Sequence, residues 1–156
     1  MFSMRTPIFI ISLSLFGLAL GGDDLKTEFL KKAQECVKEG NVDVVVCKEL
    51  LDEGVDDTQD KYTPCKCATA CMAKKFGTMD ANGALLKDEI QKFIPKLTNI
   101  QMKKEAERVF PVCYEKVSEK KDCEAAYLLS KCSTKMSSMG MNAAKYTLDY
   151  LLEKKD

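Results

Sequence analysis

This 156-residue chain has eight cysteines and no histidine, so the cysteines are its most chemically versatile side chains. They are Cys36, Cys47, Cys65, Cys67, Cys71, Cys113, Cys123 and Cys132. Without histidine, neither a Cys-His nor a Ser-His-Asp catalytic site can be built. The close trio Cys65, Cys67 and Cys71 could bind a metal, but it lacks the Cys-x2-Cys pairs typical of zinc sites. We therefore predict no catalytic residue, no metal and no cofactor.

The N-terminal segment indicates the compartment in which these thiols are used. Arg5 is its only charge, and an apolar run of about 14 residues follows from Pro7 to Leu20. A basic start, a short apolar core and small residues at the end are typical of a secretory signal peptide. A membrane anchor is the alternative, but the run is shorter than the ~20 residues that span a bilayer. We expect a signal peptide over residues 1–21, cleaved after Gly21 or Gly22.

The remaining chain, residues 22–156, is expected to be a single secreted, extracellular domain that is not embedded in a membrane. An even number of cysteines in an oxidising compartment predicts a disulfide framework, although spacing alone does not choose among the pairings. Apolar residues make up 46% of the chain and charged residues 31%, which is an ordinary globular composition. The formal net charge of zero leaves no excess of cations, so no nucleic-acid partner is expected.

Apolar residues recur at helical spacing along nearly the whole domain, which predicts an all-α fold. The predicted helices cover about residues 25–39, 42–50, 63–76, 86–94, 99–117, 122–132 and 141–152. Asn41 and Asp122 are expected to cap the second and the sixth of them. The β-branched run Val42–Val46 would also suit a short strand. Pro111 predicts a kink or a break in the fifth helix.

The helix assignment places the cysteines relative to one another. Cys67 and Cys71 are four positions apart, so both project from one helix face and each could bind a different neighbouring helix. Cys123 and Cys132 are nine apart and point to different sides of their helix. One helix can therefore be joined to two partners, which could hold helices around a space without a dense central core.

The cysteine spacing and its surroundings resemble those of one known family. The pattern Cys36-x30-Cys67-x3-Cys71-x41-Cys113-x9-Cys123-x8-Cys132 is similar to the six-cysteine pattern of the insect odorant-binding proteins, the pheromone- and general-odorant-binding family. The segment CATACMAKKFG that starts at Cys67, followed by DANG, resembles the third helix and the next turn of that family. The segment DCEAAYLLSKC that ends at Cys132 resembles the sixth helix. The resemblance covers about residues 24–137.

This resemblance implies six or seven helices around an apolar cavity, held by interlocked disulfides. Carried onto this chain, the bridges are Cys36–Cys71, Cys67–Cys123 and Cys113–Cys132. Cys47 and Cys65 depart from the six-cysteine pattern. We expect them to pair with each other, which would join the second predicted helix to the start of the third.

The same resemblance implies a secreted carrier of small hydrophobic molecules such as odorants or pheromones. A membrane chemoreceptor is a further implied partner, and the protein is expected as a monomer or a weak homodimer. Such a carrier needs a dry cavity with one or two polar groups. From their helix positions, the expected lining residues are Met72, Phe76, Leu86, Ile90, Phe93, Phe110, Tyr114, Tyr127, Leu128, Leu148 and Leu151. The last two lie in the segment 141–152, which is expected to form a lid or a wall.

Two other functions fit a small helical domain with disulfides. A saposin-like lipid-interacting protein is one, but its characteristic Cys-x2-Cys pairs are missing. A salivary or glandular interaction protein on the odorant-binding fold is the other, because a fold does not determine a function. An EF-hand is not expected, since Asp80–Gly83 lacks the full acidic series of a calcium loop. A secreted phospholipase is not expected either, since it would need a His-Asp pair and a calcium loop.

Overall fold

A computed structural model describes residues 23–154, which form seven α-helices numbered here in chain order. They are α1 (Asp23–Glu39), α2 (Val44–Glu49), α3 (Thr63–Lys75), α4 (Lys87–Gln91), α5 (Ile100–Val117), α6 (Asp122–Met136) and α7 (Ser138–Glu153). The all-α prediction is confirmed for this range. No helix within it is both long enough and apolar enough to cross a membrane. The expected signal peptide and its cleavage site lie outside the described residues.

Side-chain caps explain where three of the helices begin. The amide oxygen of Asn99 accepts a backbone N–H of the first turn of α5 at 3.1 Å. The hydroxyl of Ser137 does the same for α7, also at 3.1 Å. Asp43 caps α2 by accepting the N–H of Val45 at 3.0 Å. The segment that could have been a short strand is therefore a helix.

Two of the expected caps were wrong. Asn41 does not begin α2 but follows the end of α1, with a left-handed φ of 47° that asparagine tolerates better than most residues. At α6 the cap position is Lys121, whose side chain makes no capping hydrogen bond. Asp122 itself has a φ of 50°, and its carboxylate pairs with the ammonium group of Lys74 at 3.1 Å.

Pro111 and Pro95 act differently on their helices. Pro111 lies inside α5 on its exposed side, and the helix continues through it to Val117. Pro95 lies in a 3-10 turn at Ile94–Lys96, so α4 ends at Gln91, earlier than the sequence predicts. Proline lacks the N–H that the helix ladder needs, and this loss is better tolerated on a solvent-facing side.

Four disulfides join the helices in the expected pairs. Cys36–Cys71 links α1 to α3, and Cys47–Cys65 links α2 to α3. Cys67–Cys123 links α3 to α6, and Cys113–Cys132 links α5 to α6. Three of the four bridges therefore end on α3, which also packs most extensively against α6. These two helices form the centre of the fold.

The C-terminal helix α7 is part of the packed structure. It lies against α6, α2 and α1. Ala143 and Ala144 are fully buried, and Leu148 and Leu151 are less than a tenth exposed. Small residues at the contact let the helix approach its neighbours closely, so α7 closes one side of the molecule.

Candidate ligand cavity

A partly open cavity of about 100 Å³ lies between α1, α2, α3, α6 and α7. Most of its surface is apolar, which suits a hydrophobic guest. Its lining residues are Phe29, Ala33, Cys36, Val37, Val42, Val44, Cys47, Leu50, Leu51, Cys65, Ala68, Thr69, Met72, Tyr127, Ser130, Lys131, Thr134, Thr147, Leu148 and Leu151. Helices α4 and α5 contribute none of them.

Four of the eleven residues expected in the lining are found there, namely Met72, Tyr127, Leu148 and Leu151. The other seven lie outside the lining of this cavity and are Phe76, Leu86, Ile90, Phe93, Phe110, Tyr114 and Leu128. They pack elsewhere. Phe76 contacts Phe93 edge to face, with ring centroids 6.4 Å apart. The ring centroids of Phe110 and Tyr114 are 5.5 Å apart, and Ile90 and Phe110 belong to the buried core.

Helices α1 and α2 supply lining residues that the sequence did not assign to a cavity. Phe29 is almost completely buried, and Ala33 lies one turn further along the same face of α1. Leu50 and Leu51 follow α2 and close the space from another side. The apolar stripe of α1 is visible in the sequence, but the helix that faces it is not.

One disulfide forms part of the cavity wall. Cys47 and Cys65 both belong to the lining, as does Cys36 of a second bridge. The additional bridge thus holds α2 against α3 where these helices border the space. Its position gives these two cysteines a role in the shape of the cavity.

The polar side of the cavity comes mainly from α6. Tyr127, Ser130, Lys131 and Thr134 recur at intervals of three and four residues and therefore share one helix face. Their spacing was visible in the sequence, but apolar residues were favoured as cavity candidates. This polar stripe places most polar groups of the cavity on one side.

Asp57 engages two members of that stripe from the loop before α3. Its carboxylate accepts a hydrogen bond from the Tyr127 hydroxyl at 2.8 Å and forms an ion pair with Lys131. The hydrogen bond from Lys131, followed by that from Tyr127, lowers the pKa of Asp57 despite its partial burial. Burial and the neighbouring Asp57 raise the pKa of Tyr127, which stays a neutral hydroxyl. We call this group the Asp57 clamp.

The lining also contains three threonines whose hydroxyls differ in their partners. Thr69 donates to the carbonyl of Cys65 at 3.3 Å, and Thr134 donates to the carbonyl of Lys131 at 3.1 Å. The Thr147 hydroxyl is buried and has no hydrogen-bond partner. Across residues 26–154, no three Cys, Asp or Glu side chains are grouped so that they could hold a metal ion.

Comparisons with known proteins agree with the fold. The family model described as the PBP/GOBP family matches residues 22–136. A crystal structure of a Locusta migratoria odorant-binding protein superimposes with a TM-score of 0.57 at 19% sequence identity, covering 79% of this chain and 92% of the locust chain. No curated protein matches the sequence. At 19% sequence identity, the structural similarity shows the fold alone.

Proposed function

The chain belongs to the PBP/GOBP family, and from that premise we propose that it is a secreted carrier of small hydrophobic molecules of the odorant or pheromone kind. The observation that carries the proposal is the partly open, mostly apolar cavity between α1, α2, α3, α6 and α7. Such a space favours transfer of an apolar molecule out of water without any chemical step.

The volume of the cavity limits how much of a guest it can bury. At about 100 Å³ it is smaller than typical drug-sized pockets, which begin near ~300 Å³. An apolar protein cavity of roughly 150 Å³ accepts benzene. We therefore expect the buried part of a ligand to be about one ring or a short chain, and the rest of a larger molecule to lie at the open side of the cavity.

Secretion is supported by the character of the N-terminal segment and of the cysteines. Residues 1–22 combine one basic residue with a short apolar run. All cysteines of the described range form disulfides, which persist in oxidising compartments. Expression of the whole chain in insect cells tests this part: the medium should contain a protein that begins at Gly22 or Asp23. Retention of the uncleaved chain in membranes would contradict it.

Binding is tested with the apolar fluorescent probe N-phenyl-1-naphthylamine and its displacement by small alcohols, ketones and arenes. The variant Ala33→Leu adds three carbon atoms to the wall of the cavity and should weaken uptake at least tenfold. The control Ala106→Leu makes the same change at a partly buried position on α5, outside the lining. It should leave uptake unchanged. Equal affinities in both variants, or no probe binding by the wild type, would refute the carrier.

A further inference from the structure

The Thr147 hydroxyl is a fully buried polar group of the cavity lining that has no partner within the protein. Thr147 is only 4% exposed, and its Oγ1 has no hydrogen-bond partner. Threonine in a helix commonly donates to the carbonyl three or four residues before it, as Thr69 and Thr134 do here. Burying a hydroxyl without a hydrogen-bond partner is unfavourable, so the missing hydrogen bond of Thr147 requires an explanation.

The position of Thr147 in the cavity lining suggests that a bound ligand is the missing partner. Thr147 lies in the lining with Leu148 and Leu151, so α7 brings one hydroxyl and two apolar side chains to the same space. A rotation about the first side-chain torsion exchanges the positions of the hydroxyl and the methyl group. An oxygen atom on a bound molecule could then accept from, or donate to, Thr147.

The charged groups of the cavity argue against an anionic guest. Lys131 is the cation of the lining, and its ammonium group is already paired with Asp57. A carboxylate ligand would have to compete with Asp57 and would be repelled by it. A neutral molecule meets neither difficulty.

We infer that Thr147 is the hydrogen-bonding anchor of the cavity, and that its ligands are small neutral molecules with a hydroxyl or carbonyl oxygen on an apolar frame. The inference rests on the proposed carrier function and specifies its ligand class. It also gives α7, which lies beyond the family-matched residues 22–136, a direct part in ligand selection.

A pair of ligands of nearly equal shape tests the inference. p-Cresol and p-xylene differ in one hydroxyl against one methyl group, and each is titrated against the bound fluorescent probe. The variant Thr147→Val should lower the affinity for p-cresol about threefold to tenfold, as expected for one neutral hydrogen bond. Its affinity for p-xylene should stay within twofold. Thr147→Ser keeps the hydroxyl and should preserve the ratio of the two affinities.

Thr78→Val is the matched control, because it removes a buried hydroxyl outside the lining. Thr78 is fully buried and donates to the carbonyl of Ala73 at 3.0 Å. Its variant should lose thermal stability but keep the ratio of p-cresol to p-xylene affinities. Thr147→Val should not lose stability in the absence of ligand, since it removes a hydroxyl that bonds to nothing.

The outcomes separate the two proposals. If the wild type binds neither arene nor the probe, the carrier function fails. If both arenes bind and Thr147→Val leaves their ratio unchanged, the anchor is refuted while the carrier survives. If hexanoate binds more tightly than p-cresol, the neutral ligand class is wrong and Lys131 is the anchor instead.

Discussion

The hydroxyl of Tyr127 donates a hydrogen bond of 2.8 Å to the carboxylate of Asp57, which precedes it by 70 positions in the chain. The same oxygen of Asp57 pairs with Lys131, one turn further along α6. Tyr127 and Lys131 line the cavity, whereas Asp57 belongs to the loop between α2 and α3. The clamp therefore attaches this loop to the polar stripe of the cavity.

Breaking the clamp should destabilise the fold. Asp57→Asn removes the charge but keeps the size of the side chain, and we expect a loss of about 1–2 kcal/mol in the free energy of unfolding. Urea denaturation measures this loss. Asp52→Asn changes an exposed aspartate at the start of the same loop and should cost less than about 0.5 kcal/mol. Equal losses in both variants would mean that the clamp contributes nothing.

The clamp should also shape the pH dependence of stability. The carboxylate faces the cations Lys131 and Lys66, and the bond from Lys131 lowers its pKa in the folded protein. Its contribution is thus complete above the ordinary carboxyl pKa of about 4 and is lost as pH falls through the lowered value. With no histidine to titrate, thermal midpoint and ligand affinity should stay nearly constant from pH 7 to pH 5. A fall between pH 7 and 6 would contradict this expectation.

The four disulfides should differ in their contribution to stability. Cys47 and Cys65 are 18 positions apart, against 56 for Cys67 and Cys123. In the chain-entropy model the longer loop is worth about 1 kcal/mol more. Replacing Cys67 and Cys123 by alanines also removes the covalent link between the central helices α3 and α6, so the thermal midpoint of this variant should fall further. The Cys47–Cys65 double alanine variant should instead alter ligand affinity, because both residues line the cavity. Equal thermal midpoints in the two variants would mean that the Cys47–Cys65 bridge stabilises the fold as much as the Cys67–Cys123 bridge does.

A side chain at position 83 should displace the carboxyl group of Asp122. The φ of Gly83 is +79°, and a Cβ at this position would overlap the carboxyl group of Asp122. Gly54 has nearly the same φ of +80° but has open space around it. Gly54→Ala thus measures the backbone penalty alone, about 1 kcal/mol. Gly83→Ala should cost up to about 1 kcal/mol more by urea denaturation, because the displaced Asp122 carboxylate loses its exposed ion pair with Lys74. In Asp122→Ala, Gly83→Ala should cost about as much as Gly54→Ala.

The wall formed by α7 should control ligand release. Leu151 lines the cavity, whereas its neighbour Leu152 is partly buried outside the lining. Leu151→Ala should cost about 2–5 kcal/mol of stability and raise the dissociation rate of the bound probe. Leu152→Ala makes the same truncation on the same helix and should leave that rate unchanged. Stopped-flow displacement measures both dissociation rates. Equal rates in the two variants would mean that α7 does not control ligand release.

The helices and their disulfides could be predicted because their signals are local or carried by a known pattern. An apolar stripe with a spacing of three and four residues and a capping side chain such as that of Asn99 are both visible within a short stretch of sequence. The cysteine pairing followed from resemblance to the odorant-binding proteins. Even local signals compete, and Asn41 ended one helix instead of starting the next.

The lining of the cavity depends on contacts that no local pattern contains. A stripe of apolar residues shows that one helix face is buried, but not which helix covers it. Ile90 and Phe110 are buried as the pattern suggests, yet in the core outside the cavity, whereas Phe29 and Ala33 border it. The Asp57 clamp joins residues 70 positions apart, and the unsatisfied hydroxyl of Thr147 is a property of its neighbours. Such features arise only when helices distant in the chain pack together, because packing decides which buried side chains meet an atom and which meet a space.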